Sequence, residues 1–234
     1  MRRATRMIRV ADFFSGLHSW TKPLEHSDFP TRVFSIDNNP AYSDHTTVIK
    51  DFLQLTADEI IEHLGGVPDI VVASPPCTTF SIASCGTHWN APDPVTDERV
   101  PKTQAAIIGL QLLEHCVKLI KELNPQCWFI ENPRGLMRKM NVTQELGTRA
   151  TIWYCQYGKT AGMLRAKPTD IWYQCPSWKP RPMCKNGNPN CSHERAARGA
   201  KTGTQGLKNN ALRSIIPTEL CEEVMLASIK ELFE

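Results

Sequence analysis

Apolar residues recur along this chain in two rhythms. Short apolar runs bounded by Pro, Gly, Asn or Asp predict strands at Ile8–Phe14, Arg32–Ile36, Thr46–Ile49, Ile70–Ala73, Cys127–Ile130 and Thr151–Tyr157. A seventh is expected at Thr169–Tyr173. Elsewhere the period lengthens to three or four. Ile108, Leu112, Cys116, Leu119 and Leu123 predict a helix over Lys102–Leu123, closed by Asn124-Pro125. Thr56 is placed to cap Ala57–Leu64, with Glu59 completing a capping box and Gly65-Gly66 ending the helix. A helix is also expected to start within Leu17–Leu24, against Pro23. A last one follows Pro217 over Thr218–Phe233, with Cys221, Met225, Ile229 and Leu232 along one face. Ser84–Pro101, rich in Pro, Asp and small polar residues, reads as a mobile loop.

Strands alternating with helices mean βαβ units and a mostly parallel sheet. Ile70–Ala73 has the make-up of a strand buried on both faces, and Pro75-Pro76 stop it because neither can donate a ladder hydrogen bond. At 234 residues and 41% hydrophobic content, the chain can form one domain with a sizeable core, plus at most a small attachment. No apolar run approaches the roughly 18 residues of a membrane span. The apolar run after the basic amino end is too short and broken for a secretory signal, so a cytoplasmic location is expected. Nine cysteines, an odd number, several inside strand or helix patterns, fit free thiols in a reducing compartment better than a disulfide framework.

Charge alters the picture in one place. Residues 1–173 carry 18 basic and 18 acidic side chains, residues 174–213 carry 8 against 1, and residues 214–234 carry 1 against 5. A net +7 concentrated in one segment points to a polyanion partner for that segment.

Ligands of open α/β sheets gather at the carboxyl ends of the strands. The reactive groups of this chain stand at those ends: Phe14-Ser15-Gly16, Asp37-Asn38, Asp51-Phe52, Cys77 and Glu131-Asn132. A carboxylate after the second strand is either a turn former or, given its position relative to the glycine turn, an acceptor of hydrogen bonds from ribose hydroxyls. Cys77, on a stiff Pro-Pro turn with Thr78, Thr79 and Ser81 around it, is placed for nucleophilic attack.

The ordered set Asp12-Phe13-Phe14-Ser15-Gly16, Asp37, Asp51-Phe52, Ser74-Pro75-Pro76-Cys77 and Glu131-Asn132-Pro133 resembles the DNA cytosine-5 methyltransferases, over about residues 8–173. The likeness is to small, phage-like members with a reduced target-recognition region. Ile216-Pro217-Thr218-Glu219-Leu220 looks loosely like the family's closing segment on the cofactor side. The resemblance implies a Rossmann-like S-adenosylmethionine-dependent methyltransferase fold over residues 1–173, with residues 214–234 packing back on it. It implies Cys77 as the nucleophile toward a flipped cytosine in double-stranded DNA, Glu131 as the carboxyl group at ring nitrogen 3, and Phe14, Ser15, Gly16, Asp37, Asn38, Asp51, Phe52 and Pro76 along S-adenosylmethionine. A turn that aims backbone amides at Cys77 would hold it as thiolate. Where the family has Gln-x-Arg-x-Arg, this chain has Leu164-Arg165-Ala166-Lys167. Arg165 is the first candidate for a contact to the flipped base and Lys167 the second. The family's Gly pair after Gly16 is replaced by His18-Ser19. Ser84–Pro101 would close over the base, with Trp89 or His88 either touching the DNA or packing the loop down. A monomer is expected.

Between Tyr173 and Ile216 only 42 residues stand where the family usually has a much larger recognition domain. Pro168–Asn190 holds five prolines and leaves little room for regular structure beyond the seventh strand. Residues 174–213 contain Cys175, Cys184, Cys191 and His193, whose thiolates and imidazole can bind zinc tetrahedrally and brace a segment too polar for a core of its own. The alternative is free surface thiols. Gln174–Arg213 is expected to read the DNA, with Arg195, Arg198, Gln205, Asn209 and Asn210 as base-reading types and a site of ~2–4 base pairs. Two other readings share these residues. One keeps the site but takes a modified sulfonium donor, RNA or an already modified base; the other is a non-catalytic DNA-binding module.

Overall fold

The protein, known here as a computed structural model, is described for residues 6–158, 164–193 and 210–234, apart from the side chains of residues 210 and 211. Seven strands form one sheet among the described residues: β1 (Ile8–Phe13), β2 (Thr31–Asp37), β3 (Val48–Ile49), β4 (Ile70–Ala73), β5 (Cys127–Pro133), β6 (Arg149–Trp153) and β7 (Pro168–Gln174). Their spatial order is β3-β2-β1-β4-β5-β7-β6. The first five run parallel, while β7 is antiparallel to both β5 and β6. The helices are α1 (Ala57–Leu64), α2 (Cys85–His88), α3 (Gln104–Leu123), α4 (Asn141–Gln144), α5 (Asn210–Ser214) and α6 (Thr218–Phe233).

Side chains alternate across a strand, so each strand feeds two cores. In β4, Val71 and Ala73 join Phe13, Phe34 and Ile36 beneath α1 and α3, while Ile70 and Val72 join Ile8, Val10 and Phe129 beneath α6. All four β4 residues are fully buried, as the β-branched run requires. The order reverses direction at β1, whose neighbours are β2 on one side and β4 on the other. The crevice beyond the carboxyl ends of β1 and β4 is therefore the place where such a sheet binds ligands.

α1 begins where Glu59 N–H donates to Thr56 Oγ1 at 3.3 Å and ends on Gly65 in the left-handed region at φ 64°. α3 starts from a Thr103 cap and ends on left-handed Asn124. Its buried face follows the expected stripe in the second half of the helix and departs from it in the first. Cys116, Leu119 and Leu123 face the core as expected, together with Ala106, Gly109, Leu113, Val117 and Ile120, while Ile108 is exposed. The expected helix over Leu17–Leu24 is absent. Phe14, Gly16 and His18 all adopt positive φ and Pro23 follows, so the chain passes through turns into a single 3-10 turn at Lys22–His26. β6 is shorter than expected: after Trp153 the chain coils into a 3-10 turn over Tyr154–Gln156. Within Ser84–Pro101 the chain forms α2 and buries Trp89, whose Nε1–H donates to Thr79 O at 3.0 Å; Trp89 packs the loop down.

Candidate active site

At the carboxyl end of β1, Phe14, Ser15 and Gly16 turn sharply, with Phe14 at φ 59° and Gly16 at φ 49°. A non-glycine residue in the left-handed region carries strain, and such strain concentrates at functional turns. The turn is locked by Ser15 N–H donating to Ile36 O at 3.0 Å and Gly16 N–H donating to Asp37 Oδ2 at 3.0 Å. Asp37 Oδ1 accepts from Asn39 N–H, which leaves each carboxylate oxygen a further lone pair. Asp51 caps its own turn through Leu53 N–H, and Phe52 packs against Phe14 with ring centroids 4.1 Å apart. The sites expected from sequence at the ends of β1, β2 and β3 thus meet around one crevice. Ser15 Oγ and Asp12 Oδ1 are buried there without partners. Orphaned groups of this kind suit a polar ligand bearing hydroxyls and an amine. Ile216 N–H donates to Ser19 Oγ at 3.3 Å, which brings the segment before α6 to the same turn.

β4 and β5 bring Cys77 and Glu131 to neighbouring strand ends. Asn132 Nδ2–H donates to Pro75 O at 2.8 Å, tying the Pro-Pro turn to the end of β5. Phe80 and Ser81 N–H donate to Cys77 O, not to its sulfur. The thiol is therefore not held as thiolate by those amides. Burial pushes it up from the usual thiol value, the Glu131 carboxylate adds to that, and Lys167 works the other way.

Glu131 is buried, and its Oε1 accepts from Tyr154 Oη–H at 2.9 Å with Lys167 Nζ at 3.6 Å. Lys167, 5% exposed, also donates to Tyr154 Oη at 3.3 Å and Arg213 O at 3.3 Å, and lies 4.4 Å from the Tyr154 ring centroid. Arg165 points elsewhere: its Nη1–H donates to Leu212 O at 3.4 Å on α5. Of the two candidates, the structure brings Lys167 to Glu131. Tyr154 is absent from the residues expected on sequence grounds; it sits one residue past β6, and only pairing with β7 brings it beside Glu131.

The Cys/His group also differs from expectation. Cys155, Cys184, Cys191 and His193 bring ligand atoms within 4.8 Å of one another, and Cys155 takes the place expected for Cys175. Cys175 instead continues from β7 into the core under α6 with Cys127, Phe129 and Trp178. Arg195, Arg198, Gln205 and Asn209, and the side chain of Asn210, lie outside the described residues.

The sheet order, with its reversal at β1 and an antiparallel β7 beside β5, is a Rossmann-like fold shared with solved methyltransferases. Residues 8–167 match the model of the C-5 cytosine-specific DNA methylases, and the chain belongs to that family. The Entamoeba histolytica methyltransferase EhMeth has a similar structure, at 16% identity and TM-score 0.51 over 75% of this chain and 55% of that one. So has a putative DNA modification methyltransferase encoded within an E. coli prophage, at 16% identity and TM-score 0.51 over 76% of this chain and 52% of that one. The chain spans about half the length of these two structures. Comparison with curated proteins gives no match.

Proposed function

We propose that the protein methylates carbon 5 of cytosine in double-stranded DNA with S-adenosylmethionine as donor. The observation that carries this reading is the tie from Asn132 to the Pro75 carbonyl, which holds the turn before Cys77 at the end of β5 where Tyr154 and Lys167 grip Glu131. Carbon 5 of cytosine is a poor nucleophile. A thiolate bonded to carbon 6 makes carbon 5 enamine-like. The Glu131 carboxyl group, hydrogen-bonded at ring nitrogen 3, draws electrons from the ring. Lys167 holds Glu131 in place and takes the part at the base expected of Arg165; Arg165 is left for the DNA around it. The base reaches this site flipped out of the helix.

S-adenosylmethionine supplies a methyl group activated by its sulfonium. Asp37 and Asn38 would hold its ribose, Asp51 its adenine, Phe14, Phe52 and Pro76 an apolar wall, and Ser15 and Gly16 the remaining polar end. Once carbon 5 carries the methyl, water takes its proton, the C–H electron pair restores the 5,6 double bond, and the C6–S bond breaks to release Cys77 as thiolate. For the Cys/His group, three thiolates and an imidazole favour zinc.

Incubating the folded protein with duplex DNA and S-adenosylmethionine, then digesting to nucleosides for mass spectrometry, should yield 5-methylcytosine. Cys77→Ser should abolish it. DNA containing 5-fluorocytosine should trap a covalent adduct. A product of another mass moves the reading to a modified donor, and neither product nor adduct means that the enzymatic reading is wrong.

A further inference from the structure

The Cys/His group shares no residue with the strand-end site, yet it is built like a ligand shell. His193 Nδ1 faces the sulfurs, 3.3 Å from Cys191 Sγ and 3.5 Å from Cys184 Sγ. Its other ring nitrogen, Nε2, is 3.4 Å from Asn186 Oδ1, the acceptor needed to keep the proton on Nε2 and leave Nδ1 free for a metal. Asn188 Nδ2–H donates to Cys184 Sγ at 3.3 Å. Gln156 Nε2–H points at Cys155 Sγ and Cys191 Sγ, at 3.7 and 3.9 Å. Amide donors aimed at thiol sulfurs stabilise thiolates, and thiolates are what zinc binds. The Trp153 ring, 5.7 Å from that of His193, backs the group.

We infer that Cys155, Cys184, Cys191 and His193 bind one zinc ion that clasps the 184–193 loop to the end of β6 and thereby positions Glu131. Three ligands come from one short loop with little apolar content, and the fourth comes from the catalytic body. Cys155 directly follows Tyr154, whose hydroxyl donates to Glu131 and whose ring covers Lys167. The ion would therefore hold the 3-10 turn over Tyr154–Gln156 from the outside while Glu131 and Lys167 hold it from within. The clasp itself stands independently of the reaction; its effect on Glu131 rests on the proposed methyl transfer.

The full-length protein, purified without chelators, should contain about one zinc per chain. Cobalt substitution should give the intense ligand-field bands of a tetrahedral thiolate site. Cys155→Ala and Cys184→Ala should each lose the metal, while Cys175→Ala keeps it. His193→Cys, which preserves a four-ligand set, should retain zinc. On the proposed reaction, Cys155→Ala should lower kcat at least tenfold with S-adenosylmethionine affinity unchanged, and His193→Cys should keep most of the wild-type rate. Should Cys155→Ala fail to fold, the cobalt spectra of wild type, Cys175→Ala and His193→Cys decide the ligand set alone. Absence of zinc with no cobalt bands, a disulfide among the three cysteines, or metal lost in Cys175→Ala would overturn the site. Metal missing from Cys155→Ala with kcat unaffected would overturn the positioning role. Metal content and spectra need no turnover, so a protein with zinc but no methylation would overturn the reaction and leave the clasp intact.

Discussion

At the scale of single residues, the site is governed by buried charge. The Cys77 thiol is raised by burial and by Glu131 and lowered by Lys167. Lys167→Met should therefore make Cys77 still harder to ionise. Alkylation of Cys77 by iodoacetamide, followed across pH by peptide mass spectrometry, should rise at higher pH in the variant than in wild type. A profile shifted to lower pH would contradict that balance. Asp12 makes a second case: burial raises its carboxyl from 3.8 to about 7. The unfolded chain ionises Asp12 first, so unfolding releases a proton and stability falls as pH rises from about 4 to about 7, then levels off. Asp12→Asn can still accept from Thr21 Oγ1–H, and its stability relative to wild type should grow across that window in thermal melts. Cys77, Glu131 and Asp37 are legible in the sequence because each directly follows or ends a strand pattern. Cys155 is not, since it is far in sequence from its three partners and only the β6–β7 pairing and the returning loop bring them together. Residue type alone favours Arg165 over Lys167. A lysine stem can be buried while its ammonium reaches Glu131, and no local spacing reveals that.

At the scale of elements, what is local in cause is legible. α1, β4 and α6 have the boundaries that their caps, prolines and apolar runs dictate. Thr56→Ala should cost about 1 kcal/mol by removing the cap of α1, which denaturant melts would measure. The face of α3 departs from the expected stripe only in its first half, where the helix turns two small residues, Ala106 and Gly109, inward and leaves Ile108 exposed. A Cβ at Gly109 would stand 2.9 Å from Thr79 Oγ1 and 3.5 Å from the Phe80 ring, so α3 lies directly on the turn after Cys77. Gly135 closes that turn from the other side: a Cβ there would strike the Phe80 carbonyl oxygen, which accepts from Leu136 N–H at 2.7 Å. The atoms met at Gly135 are all backbone, of Phe80 and Pro133, and leave little room to yield. Gly135→Ala should lower activity much more than Gly147→Ala, whose added Cβ meets nothing within 4 Å, although φ 79° strains that position too. Equal activity in the two variants would mean that the Phe80 turn does not set the position of Cys77.

At the scale of the whole molecule, charge and anchoring divide the segment after β7. Its net +7 is not all available to a polyanion. Arg181 Nε–H donates to Glu223 Oε1 at 2.7 Å and Nη1–H to Glu219 Oε2 at 2.8 Å, so this cation fastens the segment to α6. Its backbone N–H donates to Tyr157 Oη at 2.7 Å, a further tie to the turn that follows β6. Composition alone does not separate an anchoring arginine from one that meets phosphate, because both raise the same local charge. Arg195, Arg198, Lys201 and Lys208 stand beyond the anchored part, outside the described residues. Replacing these four by alanine should weaken binding to duplex DNA of any sequence. It should also flatten the plot of log affinity against log salt by about 0.9 for each phosphate no longer neutralised, up to about 4 in all. Arg181→Ala should leave that slope unchanged and lower the melting temperature instead, since Glu219 and Glu223 are then deprived of a shared partner. Fluorescence anisotropy over a salt series, with melts of the same preparations, measures both. An unchanged slope in the fourfold variant would mean that this stretch does not touch phosphate, and the DNA would then have to be held by the catalytic body alone.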